Sequence, residues 1–191
     1  MDSNLILVTP IPSGYLYQVA VPVSGIHGIK QRAIVNAISP VLGVTLREYG
    51  IDNDYRVAYW AGQVCEESDN FCATEEYASG EAYEGRKDLG NTERGDGIRF
   101  KGRGLIMITG RANYLSAGKA LGLDLITSPQ LAAEPVNALR IACLYWQTHG
   151  LNALADLDDM DGITKRINGG LNGLASRQAA TDRAFRALGY S

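Results

Sequence analysis

The sequence predicts a mainly α-helical domain with one small β-hairpin. Apolar residues recur at helical spacing in several segments, and residues that favour helix starts and ends flank those segments. Strand-like patterns are confined to two short stretches. The 191 residues suffice for one domain with a proper core, together with a short appendage.

The first 28 residues are predicted to be an N-terminal extension. Three prolines between residues 10 and 22 argue against a helix through this region, and alternation from Tyr15 to Val21 predicts a short strand. The opening MDSNLILVTP has an acid where a secretory signal has basic residues, and its apolar run is too short for one. We favour a segment packed along the domain over a separate binding module. Residues 29–191 then form the main domain.

Capping residues and prolines mark the first two helices of the main domain. Ser39-Pro40 predicts an N-cap followed by a proline in the first turn, and Gly50 predicts the end of that helix. The next helix carries the stretch WAGQVCEESDNF, residues 60–71. Its predicted N-cap is one of three polar residues: Asp52, Asn53 and Asp54.

Shorter elements follow in the second half of the chain. The connection over residues 73–101 is rich in glycine and charge and has no helical period. RFKGRGLIMITG, residues 99–110, predicts a short strand or hairpin. Further helices are predicted over residues 111–121, from Glu134-Pro135 to Gly150, over residues 158–167, and after an N-cap at Ser176.

Composition argues against several classes of function. The net charge of −3 does not suit a nucleic-acid binder that works by charge, and no apolar run approaches a membrane span. Three cysteines do not make a disulfide framework, so we expect them to be reduced. The two histidines are far apart in sequence and have no CxxC partner, which argues against a zinc site. We therefore expect no metal, no cofactor and no nucleic-acid partner.

Two adjacent glutamates fall on different sides of the helix that contains WAGQVCEESDNF. Glu67 lies at the edge of the apolar side, three residues after Val64 and seven after Trp60, whereas Glu66 points towards water. Desolvation beside Trp60 would favour the protonated form of Glu67, which a general acid needs near neutral pH. The alternative interpretation is that both glutamates are solvated helix charges.

A second carboxylate is expected on the connection that follows this helix. Two carboxylates that face each other across a glycosidic bond can perform the acid and base steps of its hydrolysis. Four candidates lie close together, and the residue pattern alone does not choose among them: Glu75, Glu76, Glu81 and Glu84. The nearby GRG and TGR lack the spacing of a phosphate-binding loop, so we interpret the surrounding basic residues mainly as a solvated surface.

Several stretches are long enough to compare with known families. GRKDLGNTERGDGIRFKGRGLIMITGRANY, CEESDNF, WQTHGLNALAD and ITKRINGGLNG occur in this chain. These four stretches resemble the motifs of glycoside hydrolase family 19, in the branch of phage endolysins and bacterial chitinase-like lysozymes. The resemblance covers about residues 30–190. It implies a lysozyme-like, two-lobed domain with a cleft, and it makes residues 29–191 the catalytic domain.

The resemblance implies three catalytic residues and no metal. Glu67 matches the family's general acid, Glu76 matches the general base, and Thr109 matches the Ser/Thr that holds the attacking water. The implied mechanism is inverting: Glu67 protonates the leaving oxygen, while Glu76 activates a water on the opposite face of the sugar ring.

Four further residues match positions that bind substrate or organise the site. Asn113 and Asn168 match asparagines of this kind, Arg183 matches an arginine near the acid, and Arg103 is a candidate for a buried network.

The sequence departs from the family pattern at three points. The usual His before the acid is Glu66, and the usual Gly-Gly after it is Asp69-Asn70. Met107 replaces a Gln, which removes an amide donor and acceptor for sugar contacts but leaves the catalytic pair.

The implied function is that of an endolysin-type muramidase, which cleaves β-1,4 glycosidic bonds of peptidoglycan. GRKDLGNT favours this function over the alternative of a chitinase. A lytic transglycosylase that relies on Glu67 alone, and a catalytically dead wall-binding or virion module, remain alternatives. We expect a monomer that binds peptidoglycan glycan strands or chitin oligomers. We expect it to be made in a host cytoplasm without a signal peptide and to act in the periplasm or cell wall.

Overall fold

The computed structural model describes residues 10–191, and most of this part of the chain is α-helical. The α-helices are α1 (Tyr15–Val19), α2 (Gly25–Glu48), α3 (Asp54–Glu67), α4 (Asp96–Arg99), α5 (Arg111–Leu121), α6 (Pro135–Thr148), α7 (Leu151–Asp156), α8 (Met160–Asn168) and α9 (Leu174–Ala187). Three short 3₁₀ helices lie in the connections, at Glu81–Tyr83, Lys87–Leu89 and Pro129–Ala133. Within residues 10–191, no helix is both long enough and apolar enough to cross a membrane.

Helix α3 is the central helix of the domain. Every residue from Val57 to Cys65 is buried, so the helix needs neighbours around most of its circumference. It packs most extensively against α9. A Cβ on Gly62 would lie 2.9 Å from the Cα of Thr181, so the small residue permits this close crossing. As predicted, an N-cap starts the helix: the Asn53 side chain accepts a hydrogen bond from the Arg56 amide at 2.9 Å.

The strand predicted near Tyr15 is wrong, because residues 15–19 form α1. Tyr15, Leu16 and Val19 are buried while Tyr17 is 39% exposed, so burial follows the helical period and not alternation. The helix is short enough to fit between the flanking prolines.

Helix α1 packs against α9, and the described part of the predicted extension therefore lies along the rest of the chain. The predicted boundary between residues 28 and 29 falls inside α2, which begins at Gly25. Residues 1–9 of the extension lie outside the described residues.

Helix α2 continues through Ser39-Pro40, so the helix start predicted there is wrong. Pro40 has no amide hydrogen, but it lies on the exposed face of α2, where water can hydrogen-bond the carbonyl that loses its partner. The Ser39 hydroxyl does not cap a helix and instead donates to the Val35 carbonyl at 2.7 Å. The predicted end is close to the observed one, since the helix ends at Glu48 and Gly50 has a φ of 69°.

The later helices largely agree with the sequence. The helices predicted from residues 111, 135 and 158 correspond to α5, α6 and α8, whereas α7 was not predicted. Ser176 is not the N-cap of α9, because the helix already begins at Leu174 and the Ser176 hydroxyl donates to the Gly173 carbonyl at 2.9 Å. The three cysteines are free, as expected, and all three are buried.

Residues 99–110 do not form the predicted hairpin of paired strands. Arg99 ends α4, and the chain then makes a turn that one antiparallel bridge closes. Its two hydrogen bonds join Arg103 N to Ile108 O at 3.1 Å and Ile108 N to Arg103 O at 2.8 Å. Gly104 and Met107 have φ angles of 87° and 51°, which turn the chain too tightly for a longer ladder. We call residues 103–109 the bridged turn.

Candidate active site

A groove of about 450 Å³ lies between the bridged turn and helices α5 and α6. Met107 and Thr109 of the turn, Asn113 of α5 and Tyr145 of α6 line it, and Ile167 of α8 lines it as well. Grooves of this size with a few polar groups among apolar side chains are the usual binding sites of small ligands and chain segments.

Thr109 and Asn113, both predicted site residues, share this groove. The Thr109 hydroxyl donates to the Met107 carbonyl at 3.0 Å, and Asn113 Nδ2 donates to the Thr109 carbonyl at 2.8 Å. The hydroxyl therefore keeps its acceptor lone pairs, and the Asn113 amide keeps its oxygen, for groups that enter the groove. Met107 presents a thioether to the same groove, where an amide would have offered a donor and an acceptor.

The predicted acid, Glu67, is the last residue of α3, and its carboxylate pairs with an arginine. Arg177 Nη2 lies 2.6 Å from Glu67 Oε1; the arginine side chain is 3% exposed and the glutamate side chain 18%. The sequence predicted an apolar margin beside Trp60 for this carboxylate, and that prediction is wrong. Trp60 is fully buried in the core, and the nearest charged partner of Glu67 is the guanidinium.

Sequence reasoning missed Arg177, which organises a buried polar network behind Glu67. Arg177 Nη1 donates to Gln63 Oε1 at 2.7 Å, and its Nε donates to the Asn172 carbonyl at 3.1 Å. Gln63, which is fully buried, in turn donates to Thr164 Oγ1 at 3.1 Å. The signal in the sequence was a charged residue at helical spacing from Ala180 and Ala184 on the inner face of α9.

Glu76, the predicted base, is held by two donors from different parts of the chain. Its Oε1 accepts from the Gly102 amide at 2.6 Å, and its Oε2 accepts from the Tyr83 hydroxyl at 3.0 Å. Burial and the hydrogen bond to Glu76 raise the pKa of the Tyr83 phenol, so Tyr83 remains a donor. The orientation of the carboxylate is thus fixed. A general base needs a fixed orientation, because it must abstract a proton from a water molecule at a defined position.

The other candidate carboxylates have structural partners or none. Glu75 Oε1 pairs with Lys101 at 3.2 Å and with Arg103 Nη2 at 3.0 Å, and Glu84 accepts from the backbone amides of residues 95 and 97. The Glu81 side chain is exposed. Among the four candidates, Glu76 is therefore the one whose setting best suits a base.

Arg103, the predicted member of a buried network, is itself almost fully buried. Besides its pair with Glu75, its Nη1 donates to the Arg99 carbonyl at 2.8 Å and lies 3.2 Å from the Tyr114 hydroxyl. These bonds hold the bridged turn against α4 and α5. Arg103 therefore supports a wall of the groove but does not line the groove itself.

Arg183 and Asn168 lie at the margins of the site. Arg183 and Glu67 line a second depression of about 460 Å³, but Arg183 Nε donates to the Val19 carbonyl at 2.6 Å, and the direct contact with Glu67 is made by Arg177. Asn168 is exposed at the end of α8, next to the groove residue Ile167.

Glu66 is predicted to point towards water, but its side chain is half-buried. Its Cδ lies 3.1 Å from where a Cβ on Gly173 would be, so it packs against the start of α9.

The two predicted catalytic carboxylates differ in their relation to the groove. At Glu76, a Cβ on Gly102 would lie 3.3 Å from both Glu76 Cδ and Met107 Cβ, so this carboxylate lies beside the groove. Glu67 instead lines the second depression. Burial and the negative charge of Glu67 raise the pKa of Tyr145, which lines the groove. In residues 10–191 no group of three His, Cys, Asp or Glu side chains could hold a metal ion.

A mainly helical fold with two hydrogen-bonded carboxylates and a groove is the arrangement of the lysozyme-like class of glycan hydrolases. The chain belongs to glycoside hydrolase family 19: the family model described as Chitinase class I matches residues 58–159, which is more than half of the chain.

Relatives in sequence come from bacteria and plants. A "Glycosyl hydrolase family 19 domain-containing protein" of Haemophilus influenzae is 40% identical over 95 residues, which cover 50% of this chain and 46% of the relative. The "Acidic endochitinase SP2" of Beta vulgaris is 28% identical over 171 residues, which cover 87% of this chain and 58% of the relative. The chain spans about half the length of the curated relatives it matches.

Solved structures of chitinases share the fold. A class IV chitinase from Zea mays superimposes with a TM-score of 0.67 at 20% identity, over 100% of this chain and 96% of that chain. Chitinase C from Streptomyces griseus HUT6037 gives a TM-score of 0.65 at 18% identity, over 100% of this chain and 80% of that chain. The predicted mainly α, lysozyme-like fold class is confirmed, as is the predicted family of glycoside hydrolases.

Proposed function

We propose that the chain is an endolysin-type muramidase that cleaves the β-1,4 bonds of peptidoglycan glycan strands with inversion of configuration. The observation that carries the proposal is the pair of carboxylates, Glu67 and Glu76, each held by its own partners, with Glu76 beside the groove of Thr109 and Asn113. Inverting hydrolysis uses one such group as an acid and the other as a base.

In this mechanism the protonated form of Glu67 is the one that acts, and it donates its proton to the leaving oxygen while the sugar gains oxocarbenium character. The carboxylate that remains carries a full negative charge 2.6 Å from the Arg177 guanidinium. That interaction strengthens as the proton leaves, and interactions of this kind lower the barrier without tightening the ground state.

Glu76 takes the proton of the attacking water. The Gly102 amide and the Tyr83 hydroxyl fix the carboxylate, and the acceptor lone pairs of Thr109 orient the water. A gap of roughly 6.5–9.5 Å between the two carboxyl groups would leave room for this water, and a shorter one would not.

The GRKDLGNT stretch supports a peptidoglycan substrate through its likeness to the endolysin branch, and it also reaches the site. Its Asn91 is fully buried, donates to the Tyr83 carbonyl at 2.9 Å and accepts from the Arg111 amide at 2.8 Å. The stretch thus fixes Tyr83, which holds Glu76, to the start of α5. With peptidoglycan as its substrate, the protein would act in the periplasm or cell wall.

Chitin hydrolysis is the second candidate function. The relatives named endochitinases and the structures named chitinases favour it, and both polymers are β-1,4-linked chains with N-acetyl groups. Met107 in the groove does not separate the two candidates, because both polymers carry acetamido groups and a thioether hydrogen-bonds neither of them as an amide can.

The decisive experiment compares the two substrates with one protein preparation. We expect loss of turbidity of Gram-negative cells stripped of their outer membrane, a slower release of products from chitin oligomers, and no activity of Glu67→Gln on either. Faster cleavage of chitin oligomers than of cell walls would make the protein a chitinase. A folded protein that binds glycan and cleaves neither would be a binding module.

Product analysis separates hydrolysis from transglycosylation. We expect an ordinary reducing end whose anomeric configuration is inverted when first formed. A 1,6-anhydro product from an enzyme indifferent to Glu76→Gln would contradict the inverting scheme and indicate a lytic transglycosylase that relies on Glu67.

A further inference from the structure

The chain leaves α3 through a turn in which three successive residues have positive φ. The angles are 50° at Asp69, 60° at Asn70 and 59° at Phe71. This left-handed region is uncommon for residues other than glycine, and least favourable for a bulky residue such as Phe71. Contacts from elsewhere in the fold must therefore hold the turn. Glu67 ends α3 two residues before this turn.

The Asn70 side chain binds the backbone of one residue from the N-terminal segment. Asn70 Oδ1 accepts from the Val21 amide at 2.8 Å, and Asn70 Nδ2 donates to the Val21 carbonyl. The amide group thus pairs with both polar atoms of Val21, as a neighbouring strand would. Val21 lies in the connection between α1 and α2, 49 residues away in sequence.

Gln31 of α2 ties the same two residues together from a buried position. Its Nε2 donates to the Asn70 carbonyl at 2.8 Å and to the Val21 carbonyl at 3.1 Å, and the residue is 4% exposed. On the other side of the turn, the Tyr77 hydroxyl donates to Asp69 Oδ2 at 2.7 Å. Side chains from outside the turn thus bind two of its three left-handed residues.

We propose that Val21, Gln31 and Asn70 form a clamp through which the N-terminal segment positions the carboxylate of Glu67. They are positioning residues, because none of them lines the groove in which the substrate would bind. The proposal rests on the hydrolytic function proposed above. It makes the segment between α1 and α2 a part of the active-site frame.

Substitutions at Asn70 separate the clamp from backbone strain. Asn70→Gly removes both side-chain hydrogen bonds to Val21, together with a weak one from Cys65 Sγ at 3.4 Å, and adopts a φ of 60° without strain, so it tests the side-chain contacts apart from backbone strain. We expect its kcat on cell walls to fall about 10- to 100-fold, the range for misplacement of a reacting group, with KM within about twofold. Gln31→Ala should lower kcat in the same direction. The double variant should lose less than the product of the two, because both side chains bind Val21.

A control variant distinguishes positioning from a general loss of stability. Asn137 Nδ2 makes two comparable bonds at the start of α6, to the Leu131 carbonyl at 3.0 Å and to Glu134 Oε2 at 3.1 Å. Asn137→Ala should lower the melting temperature and leave kcat unchanged well below that temperature. If Asn70→Gly keeps the wild-type kcat, or if Asn137→Ala loses as much kcat, the clamp does not position the acid.

Amide hydrogen exchange tests the clamp independently of activity. In the wild type the Val21 amide donates to Asn70 Oδ1 and the Asn70 amide donates to the Cys65 carbonyl at 2.7 Å, so both should exchange slowly. In Asn70→Gly we expect both amides to exchange at least tenfold faster while the α3 core stays protected. Unchanged exchange would overturn the proposal. A wild type that cleaves neither glycan would instead refute the proposed function and leave this measurement valid.

Discussion

The ion pair between Arg177 and Glu67 is the contact on which the proposed acid depends most, and Arg177→Met tests it. Methionine keeps much of the apolar stem and removes the guanidinium. Three hydrogen bonds are lost: those to Glu67 Oε1, to Gln63 Oε1 and to the Asn172 carbonyl. Gln63 is fully buried, so its oxygen would be left without a donor.

The expected loss follows from the burial of the two partners. Removing one member of a buried ion pair costs about 3–5 kcal/mol, because the other charge is left uncompensated. The Glu67 side chain is 18% exposed and can be partly hydrated, so we expect the lower end, about 3 kcal/mol. For a domain of this size each kcal/mol corresponds to a change in Tm of about 2–4 °C, which gives a decrease of roughly 6–12 °C.

Urea denaturation and thermal melting of single and double variants provide the assay. Glu67→Gln leaves an amide in place of the charge, so Arg177→Met should cost less in that background than in the wild type. We expect a coupling free energy between about 0.5 and 3 kcal/mol, the range for residues in one network. A loss below about 1 kcal/mol for Arg177→Met, or additive effects of the two substitutions, would refute the reasoning.

Two further predictions concern the carboxylates. Glu67→Gln should abolish lysis in the turbidity assay with the fold intact. Glu66→Gln should retain most activity, because Glu66 packs against Gly173 and does not line the groove. A comparable loss of activity in both variants would contradict this prediction. Glu76→Gln should lower kcat by about 10²–10⁴-fold, the usual contribution of a general base, and Thr109→Ala should lower it less while Thr109→Ser keeps much of the rate. Since both residues act on one water, the double variant should be little slower than Glu76→Gln alone, and multiplicative losses would argue against a shared water.

Features set by neighbouring residues could be predicted from the sequence. The N-cap of α3 among residues 52–54 and the start of α6 at Pro135 both depend on side chains within a few residues. The end of α3 did not follow in this way, because the stretch 60–71 was expected on one helix and the helix ends at Glu67. The same local rules failed at Pro40 and at Tyr15. In each case burial against a distant helix outweighs the local signal, since the apolar face of α2 continues past Pro40 and α1 packs against α9.

The environment of the acid could not be predicted, because distant parts of the chain create it. A charged residue on the inner face of α9 marks Arg177 as unusual, but nothing local indicates that its partner is Glu67, 110 residues earlier. Likewise, helical spacing placed Glu66 towards water and could not indicate that α9 begins against it. Resemblance selected Glu76 from four acids, and only its contacts with Gly102 and Tyr83 distinguish its setting from those of the others.

The chemistry proposed for Glu67 therefore depends on contacts that form only when segments from both ends of the described chain have packed against α3. Arg177 approaches the carboxylate from α9, and Asn70 fixes the turn behind it by binding Val21. The two ends also meet directly, since Arg183 Nε of α9 donates to the Val19 carbonyl of α1 at 2.6 Å. A carboxylate at the end of an isolated helix would have water in place of these partners and no fixed orientation. Groups that are already oriented before the reaction begins lower its barrier most. The packing of α1 and α9 against α3 is therefore as much a part of the proposed active site as the groove itself.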